Sequence, residues 1–227
     1  MGSVYWWSFI LLIPAVVLGI YAQARVSSVF NRYSQVPSAR GLTGAQGARL
    51  VLDSAGLSNV GIEVAGSRLS DHYDPRTKVL TLSLPVGNSN SLASLGVAAH
   101  EAGHAIQHAE GYGPFRLRSV IVPAANLGSK LGFILFFIGL IFYRNGLLMN
   151  VGIVLYSAAV LFTVVTLPVE FNASRRAMTL LENRSILVGD ELAGARKVLS
   201  AAALTYVAAA LMAILQLLRL ILISRSR

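Results

Sequence analysis

The fold class of this chain is decided by the stretch VIVPAANLGSKLGFILFFIGLIFY (120–143), RNG (144–146) and LLMNVGIVLYSAAVLFTVVTLPV (147–169). Its two apolar runs, Val120–Tyr143 and Leu147–Val169, are each long enough to cross a hydrocarbon core of about 30 Å, which takes roughly 20 helical residues. Only Arg144-Asn145-Gly146 separates them. The stretch therefore predicts a tight hairpin of two transmembrane helices.

Two more apolar runs flank this hairpin in the sequence, from about Tyr5 to Tyr21 and from about Ala203 to Ile223. Trp6 and Trp7 at the start of the first run suit an interfacial aromatic belt. No Lys or Arg precedes that run, so we expect a retained anchor rather than a cleaved signal peptide. Asp190 is a predicted helix start, and the helix it begins is expected to continue into the last span.

The composition agrees with a membrane protein. Of the 227 residues, 55% are hydrophobic and 13% are charged, and the mean hydropathy is +0.63. Charged residues normally make up about a quarter of a soluble globular chain, so an ordinary soluble domain is excluded. The net charge of +9 suits either nucleic acid or an anionic membrane surface, and the apolar runs decide for the membrane, with no nucleic-acid partner expected. Because the chain has no Cys, any metal site must use His, Asp and Glu.

Four spans divide the polar residues between two sides of the membrane. Residues 24–118 and 170–200 share one side and carry 14 Lys and Arg, whereas both termini and the 144–146 turn share the other side and carry 3, with Lys130 and Arg219 left over inside spans. The positive-inside rule then predicts that the polar segments are cytoplasmic and that both termini lie on the opposite side.

The polar segment 24–118 is expected to fold as a small α+β module. The predicted elements are a helix Leu42–Gly56 capped by Thr43, strands Val60–Val64 and Lys78–Leu84, a turn Asp74–Thr77 between these strands, and a helix Leu92–Ala109. The alternation in Lys78–Leu84 favours core packing, and the alternative is binding of an extended substrate by strand addition.

The last of these helices contains His100-Glu101-Ala102-Gly103-His104, an H-E-x-x-H motif. Residues four apart share a helical face, so His100 and His104 can bind one Zn²⁺ at about 2.0–2.1 Å. Glu101 then stands beside the ion as the catalytic base, accepting a proton from the attacking water and passing it to the leaving amine. The competing interpretation is a pair of solvated histidines on a surface helix.

A catalytic zinc needs a third protein ligand and one open position. His108 lies two turns beyond His100, about 12 Å along a straight helix, which is too far for one ion. His72 is a possible ligand, but its surroundings are rich in turn-forming residues. Glu170 is the better candidate because it follows the third apolar run directly, and a carboxylate at a membrane boundary is usually functional. The alternative for Glu170 is an ion pair with Arg175 or Arg176.

These residues resemble a known family. The runs from His100 to His108, Asp71 to Pro75 and Pro168 to Ala177 are similar to the bacterial YugP-like membrane zinc metallopeptidases, over nearly the whole chain. A more distant resemblance is to the HtpX-like and prenyl-protein membrane proteases, which are gluzincins. The resemblance implies one zinc ion bound by His100, His104 and Glu170, with Glu101 as base, in a bacterial inner membrane. The distant relatives carry an Asp four residues after the ligand Glu, where this chain has Ser174, so Asn172 or Asp71 is a candidate partner for an imidazole.

Several polar residues are candidates for supporting roles at the site. They are expected to orient the histidines or to donate a hydrogen bond to the developing oxyanion, and the sequence does not rank them. The set is Asp71, His72, Tyr73, His108, Tyr112, Asn172, Arg175 and Arg176.

The sequence therefore predicts a mainly α membrane protein with four transmembrane helices and a zincin-like catalytic module at the membrane surface. The predicted segments are an anchor at 1–23, the catalytic module at 24–118, a hairpin at 119–169, a ligand-bearing helix at 170–200 and a last span at 201–227. The expected function is a zinc endopeptidase that cleaves membrane-proximal or misfolded membrane polypeptides, alone or with a membrane-protein partner or a second copy.

Two alternatives compete with this function. One is a non-catalytic membrane adaptor or assembly factor with a structural zinc, whose site would be closed by four protein ligands. The other, an intramembrane site-2-type protease, is disfavoured because the motif helix is too polar to span and the chain has no Asp between Asp74 and Asp190.

Overall fold

The computed structural model describes residues 7–66, 70–142 and 146–226. Three sequence features lie outside these ranges: Tyr5 and Trp6 at the start of the first apolar run, Tyr143 to Asn145 at the hairpin turn, and Arg227 in the tail.

The described chain is mainly helical. The helices are α1 (Ile13–Tyr33), α2 (Gly44–Ser54), the short α3 (Leu84–Gly87), α4 (Leu92–Ala109), α5 (Gly113–Ile141), α6 (Gly146–Asn183) and α7 (Asp190–Arg225). Four helical stretches are long and apolar enough to cross a membrane: Trp7–Tyr33 and the whole of α5, α6 and α7. The prediction of four spans is confirmed at this level, and α7 begins at Asp190 and runs unbroken through the last apolar stretch, as the sequence indicates.

Two shorter helices begin at capping residues that the sequence provides. The Thr43 hydroxyl accepts a hydrogen bond from the Gln46 N–H, and the Gln46 side chain accepts one from the Thr43 N–H, a reciprocal capping box that begins α2. The Ser91 side chain likewise accepts a hydrogen bond from the Ser94 N–H and begins α4. Both helices were predicted, α4 with its bounds unchanged.

The sheet differs from the expectation. It has three strands, β1 (Gly61–Val64), β2 (His72–Asp74) and β3 (Val79–Leu82), in the order β1-β3-β2. The predicted strands β1 and β3 pair in parallel, so the turn does not join them. It joins β3 to β2, a strand that was not predicted because it is only three residues long. The substrate role considered for Lys78–Leu84 is wrong, since β3 has a strand on each side and buries Leu80 and Leu82.

The chain forms two compact units. The first comprises the chain up to Ala22, the segment Arg116–Pro168 and the chain from Thr205, and its buried cluster includes Phe136 and Met149. The second comprises Gln23–Phe115 and Val169–Leu204. Its core packs α2, α4 and the sheet with the parts of α6 and α7 that belong to this unit, and the H-E-x-x-H motif lies in it.

Candidate metal centre

The motif helix α4 is buried along most of its length, and this burial determines how the two histidines are held. His100 and His104 are 9% and 7% exposed, and their rings meet edge to face with centroids 4.8 Å apart. Small residues on both sides, Ala99, Ala102 and Ala105, let other elements approach the helix closely. The histidines are therefore not the solvated surface pair of the competing interpretation.

Glu170 in helix α6 reaches both imidazoles although it is distant in sequence. Its Oε2 lies 3.1 Å from His100 Nε2 and 3.6 Å from His104 Nε2, and the residue is 2% exposed. Arg176 is instead paired with Glu110, at 2.7 Å. The structure thus brings Glu170 to the motif, as the third-ligand expectation requires.

These three side chains form the one group of potential metal ligands found within the described residues, with their donor atoms all within 4.8 Å of one another. Two donors that each lie about 2.0–2.1 Å from a tetrahedral zinc are about 3.3–3.4 Å apart. The observed separations of 3.1 and 3.6 Å bracket that value. Two imidazoles and one carboxylate also match a catalytic zinc site with its fourth position open. The donor set therefore fits the ion that the sequence implies.

Glycine in the motif permits this approach. A Cβ added at Gly103 would lie 2.6 Å from the backbone oxygen of Ala173, closer than real Cβ contacts. Helices α4 and α6 are in backbone contact at this point. Glu170 and Ser174, one turn apart around Ala173, consequently reach His100 with short side chains.

The first imidazole is oriented by Ser174. His100 Nδ1 lies 3.0 Å from Ser174 Oγ, while its Nε2 faces Glu170. When Nδ1–H donates to that hydroxyl, Nε2 is left with its lone pair free for a metal. The position where distant relatives carry an Asp therefore retains a hydrogen-bond partner, and neither Asn172 nor Asp71 takes this role.

The second imidazole is oriented by Gln107, which the sequence analysis missed. Gln107 is fully buried, and its amide nitrogen donates to Val169 O at 2.8 Å and to Asn172 Oδ1 at 2.9 Å. These two donor bonds fix the amide so that its oxygen faces His104 Nδ1 at 3.0 Å. That oxygen can only accept, so Nδ1 carries the proton and Nε2 is free for a metal. A Gln one turn after the second His of the motif, on the buried side of the helix, was the available signal.

Charge around the second imidazole influences its protonation. Burial alone would lower the pKa of His104, but the hydrogen bond to Glu170 and the charges of Glu101 and Glu170 outweigh it and raise that pKa. Glu101 is therefore close enough to act on His104 electrostatically. It is also partly exposed, so water can reach the proposed base.

Tyr73 and His108 form a second polar pair near the motif. The Tyr73 hydroxyl and His108 Nδ1 share a hydrogen bond of 2.9 Å, and the Phe115 ring contacts both His104 and His108. Burial, together with the charge of Asp74, raises the pKa of Tyr73, so its hydroxyl stays protonated near neutral pH. His108 is outside the metal group, as its distance along α4 predicts.

Gln107 is held by a series of side-chain contacts that runs through Asn172 and Arg176 to Glu110. Asn172 Oδ1 also accepts a hydrogen bond from Arg176 Nε at 2.7 Å, and Arg176 pairs with Glu110. The Arg176 guanidinium lies 5.9 Å from the centre of the Tyr112 ring. Asn172 and Arg176 therefore reach the metal group only through Gln107.

Three other candidates have no hydrogen bond or ion pair with the three donor residues within the described ranges. Asp71 accepts hydrogen bonds from Ser83 N and Ser83 Oγ, which ties the end of β3 to the residue before β2. His72 is exposed, with its Nδ1 2.7 Å from Ser70 O. Arg175 is exposed on α6. The structure brings none of the three to the imidazoles.

Comparison with known proteins identifies the family of this chain. Residues 8–225 match the model of a family described as "putative neutral zinc metallopeptidase". The chain is 46% identical over 213 residues to "Putative membrane protease YugP" of Bacillus subtilis (strain 168), which covers 94% of each chain. No solved structure matches the chain. With a family match over nearly its full length and four membrane-spanning candidates, the protein is a membrane member of this zinc metallopeptidase family.

Proposed function

We propose that the protein is a zinc-dependent endopeptidase that cleaves membrane-proximal or misfolded membrane polypeptides. The observation that carries this proposal is the convergence of His100, His104 and Glu170 on one point, with Glu101 beside it. A structural zinc would be closed by a fourth protein ligand, and the group found in the described residues has three members. That arrangement favours catalysis over an adaptor.

Each residue of the site has a separate role in the proposed hydrolysis. One bound zinc ion supplies a Lewis acid that polarises the scissile carbonyl and makes water a better nucleophile. Glu101 accepts the proton of the attacking water and delivers it to the amide nitrogen as the C–N bond breaks. His100 and His104 present Nε2 because Ser174 and Gln107 hold their other nitrogens.

Among the residues considered for the oxyanion, Tyr73 is the best supported donor. Arg176 is engaged by Glu110 and Asn172, and Arg175 is exposed and has no hydrogen bond or ion pair with the three donor residues in the described part of the chain. Tyr73 lies on β2 and is protonated near neutral pH, and its partner His108 is one turn from His104. When His108 Nδ1 carries the proton and donates to the Tyr73 oxygen, the Tyr73 O–H is free to donate to an oxyanion. A neutral O–H donor of this kind stabilises developing negative charge without being neutralised by Glu101.

Strand β2 is the proposed docking edge for the substrate. It pairs with β3 on one side only, and within the described residues no strand covers its other side. An extended polypeptide can add to such an edge through main-chain hydrogen bonds, which carry little sequence preference. Weak sequence preference suits an enzyme that recognises unfolded segments.

The membrane-proximal part of the proposal rests on the sequence position of Glu170. This ligand follows the apolar run Leu147–Val169 without a break in helix α6. The excess of Lys and Arg in 24–118 and 170–200 supports a catalytic unit in the cytoplasm of a bacterial cell, with both termini across the inner membrane.

The test separates catalysis from metal binding with three variants of the full-length protein in detergent. Glu101→Gln should retain zinc and lose at least about a hundredfold in hydrolysis of an unfolded polypeptide. Glu170→Ala should lose both zinc and activity, whereas Glu182→Gln, an exposed change on the same helix, should lose neither. Unchanged hydrolysis in Glu101→Gln would defeat the mechanism, and full zinc content in Glu170→Ala would defeat the ligand assignment.

A further inference from the structure

A second cavity of the unit that holds the metal centre has the chemistry of an anion site. It has a volume of about 450 Å³ and lies between α1 and the first part of α7. Three of the eight residues that line it are cationic, Arg25, Arg196 and Lys197, and Ser200 adds a hydroxyl. No Asp or Glu is among these lining residues. The cavity is thus strongly positive and of ligand size.

The three cations are available to a ligand. Each is exposed, and none of them has an ion pair or hydrogen bond with another of the described residues. Glu191, in the first turn of α7, is engaged elsewhere because its Oε1 accepts a hydrogen bond from the Ala39 N–H. Three unpaired like charges around one cavity repel one another, and a bound anion would relieve that repulsion.

The rest of the lining favours an amphiphile over a free anion. Leu192, Ala193 and Ala201 contribute apolar surface, and the lining extends from Gly189, just before α7, to Ala201, about 16 Å along the helix at 1.5 Å per residue. Arg196 and Lys197 lie in the middle of this stretch, so a small inorganic anion would contact the cations and leave the apolar residues on either side uncovered. A molecule with a charged head and a hydrocarbon tail would use both.

The sequence positions of the cations point to the same class of ligand. Arg25 follows the apolar run that ends at Tyr21, and Arg196 and Lys197 precede the run that begins at Ala203. Lys and Arg that adjoin transmembrane segments contact anionic headgroups at the cytoplasmic leaflet. We propose that this cavity binds the phosphate headgroup of an anionic phospholipid, with the acyl chain along the apolar side of α7.

The experiment is a calorimetric titration of the zinc-loaded, full-length protein in a neutral detergent. The probes are short-chain phosphatidylglycerol, short-chain phosphatidylcholine and inorganic phosphate. Each cation near an anionic surface is worth roughly a fivefold change in affinity, so replacing Arg25, Arg196 and Lys197 by Gln should weaken phosphatidylglycerol binding about 100-fold. Added salt should weaken binding to the native protein as well, because the attraction is screened.

Arg32→Gln is the matched control, because it removes one exposed cation from the same helix as Arg25 without touching the cavity lining. It should leave phosphatidylglycerol binding unchanged. Zinc content and unfolding temperature should also match the native protein in the triple variant, since all three side chains are exposed. The proposal is overturned if the triple variant binds phosphatidylglycerol as the native protein does. Equal binding of phosphatidylcholine, or full competition by inorganic phosphate at the same concentration, would overturn it too.

Discussion

Removing the hydrogen bonds of Gln107 should weaken zinc binding although Gln107 would not touch the ion. Its amide oxygen is the partner of His104 Nδ1, and its amide nitrogen is fixed by Val169 O and Asn172 Oδ1. In Gln107→Met a side chain of similar size fills the space without making these bonds. His104 then has no partner that selects its tautomer, and its ring is free to turn.

The size of the loss in Gln107→Met follows from which buried groups lose a hydrogen-bond partner. Asn172 Oδ1 keeps its bond from Arg176, and the Val169 carbonyl lies inside a helix, where it has a second donor. His104 Nδ1 is therefore the one buried group left without a partner, which costs about 1–3 kcal/mol of stability. Loss of such an outer partner typically lowers metal affinity about 10–100-fold.

Competition with a chromophoric chelator in detergent measures the zinc affinity directly, and thermal unfolding of the metal-free protein measures the stability. Gln46→Met is the matched control, because it removes the amide of the α2 capping box. That control should cost about 1 kcal/mol of stability and leave zinc affinity intact. If Gln107→Met binds zinc within about twofold of the native protein, the orientation argument fails, because the expected loss is at least about tenfold.

Three further predictions concern the same centre. Gly103→Ala should lower zinc affinity by more than about tenfold, because its Cβ would press on Ala173 O and move α6 away from α4. Gly113→Ala, whose Cβ meets open space, should leave zinc affinity unchanged. Equal zinc affinity in the two variants would refute the close-packing argument. Ser174→Ala should weaken zinc binding about tenfold in the same chelator assay, and an unchanged affinity would show that His100 does not need this partner. The raised pKa of His104 means that a proton competes with zinc, so zinc affinity should rise with pH from about 6 to 8, with proton release measured by calorimetry. Because protonation of His104 is favoured in the folded state, the metal-free protein should lose stability over the same rise in pH. If neither zinc affinity nor stability changes with pH, His104 is not the titrating metal ligand.

Local patterns in the sequence were sufficient for the helices. The apolar runs are long enough to require spans, and Thr43 and Ser91 are capping residues whose bonds involve neighbours only three positions away. The motif position on α4 follows from the same local information. Features of this kind are readable because each depends on a few consecutive residues.

The sheet was harder to predict from the sequence because its strand pairing is non-local. β1 pairs in parallel with β3 although β2 lies between them in the sequence, and no short-range signal distinguishes this from a simple hairpin. β2 has three residues, too few for an alternating pattern. The Asp74–Thr77 turn was predicted correctly as a turn but assigned to the wrong pair of strands.

The orienting residues were missed for a related reason. Ser174 and Gln107 are ordinary polar side chains that acquire their roles only where α4 and α6 touch, at Gly103 and Ala173. A Gly in an alanine-rich helix indicates that something approaches closely, but it does not say what. The third-ligand expectation for Glu170 came from a resemblance and from its place after an apolar run, and its contact with His100 depends on the same helix crossing.

The hydrogen-bond partners of the two Nδ1 atoms, Ser174 and Gln107, are neutral, and this affects the electrostatics of the centre. A carboxylate bonded to a ligand histidine makes the imidazole more basic and moves negative charge toward the metal. Ser174 and the Gln107 amide fix the same ring orientations without that charge. Glu170 is then the one carboxylate of the donor set, so a divalent ion held there keeps a net positive charge. With zinc bound, a more positive centre would make water more acidic and a carbonyl more polarised, at the expense of metal affinity, and the close contact of α4 and α6 at Gly103 would favour binding by holding the three donors in place.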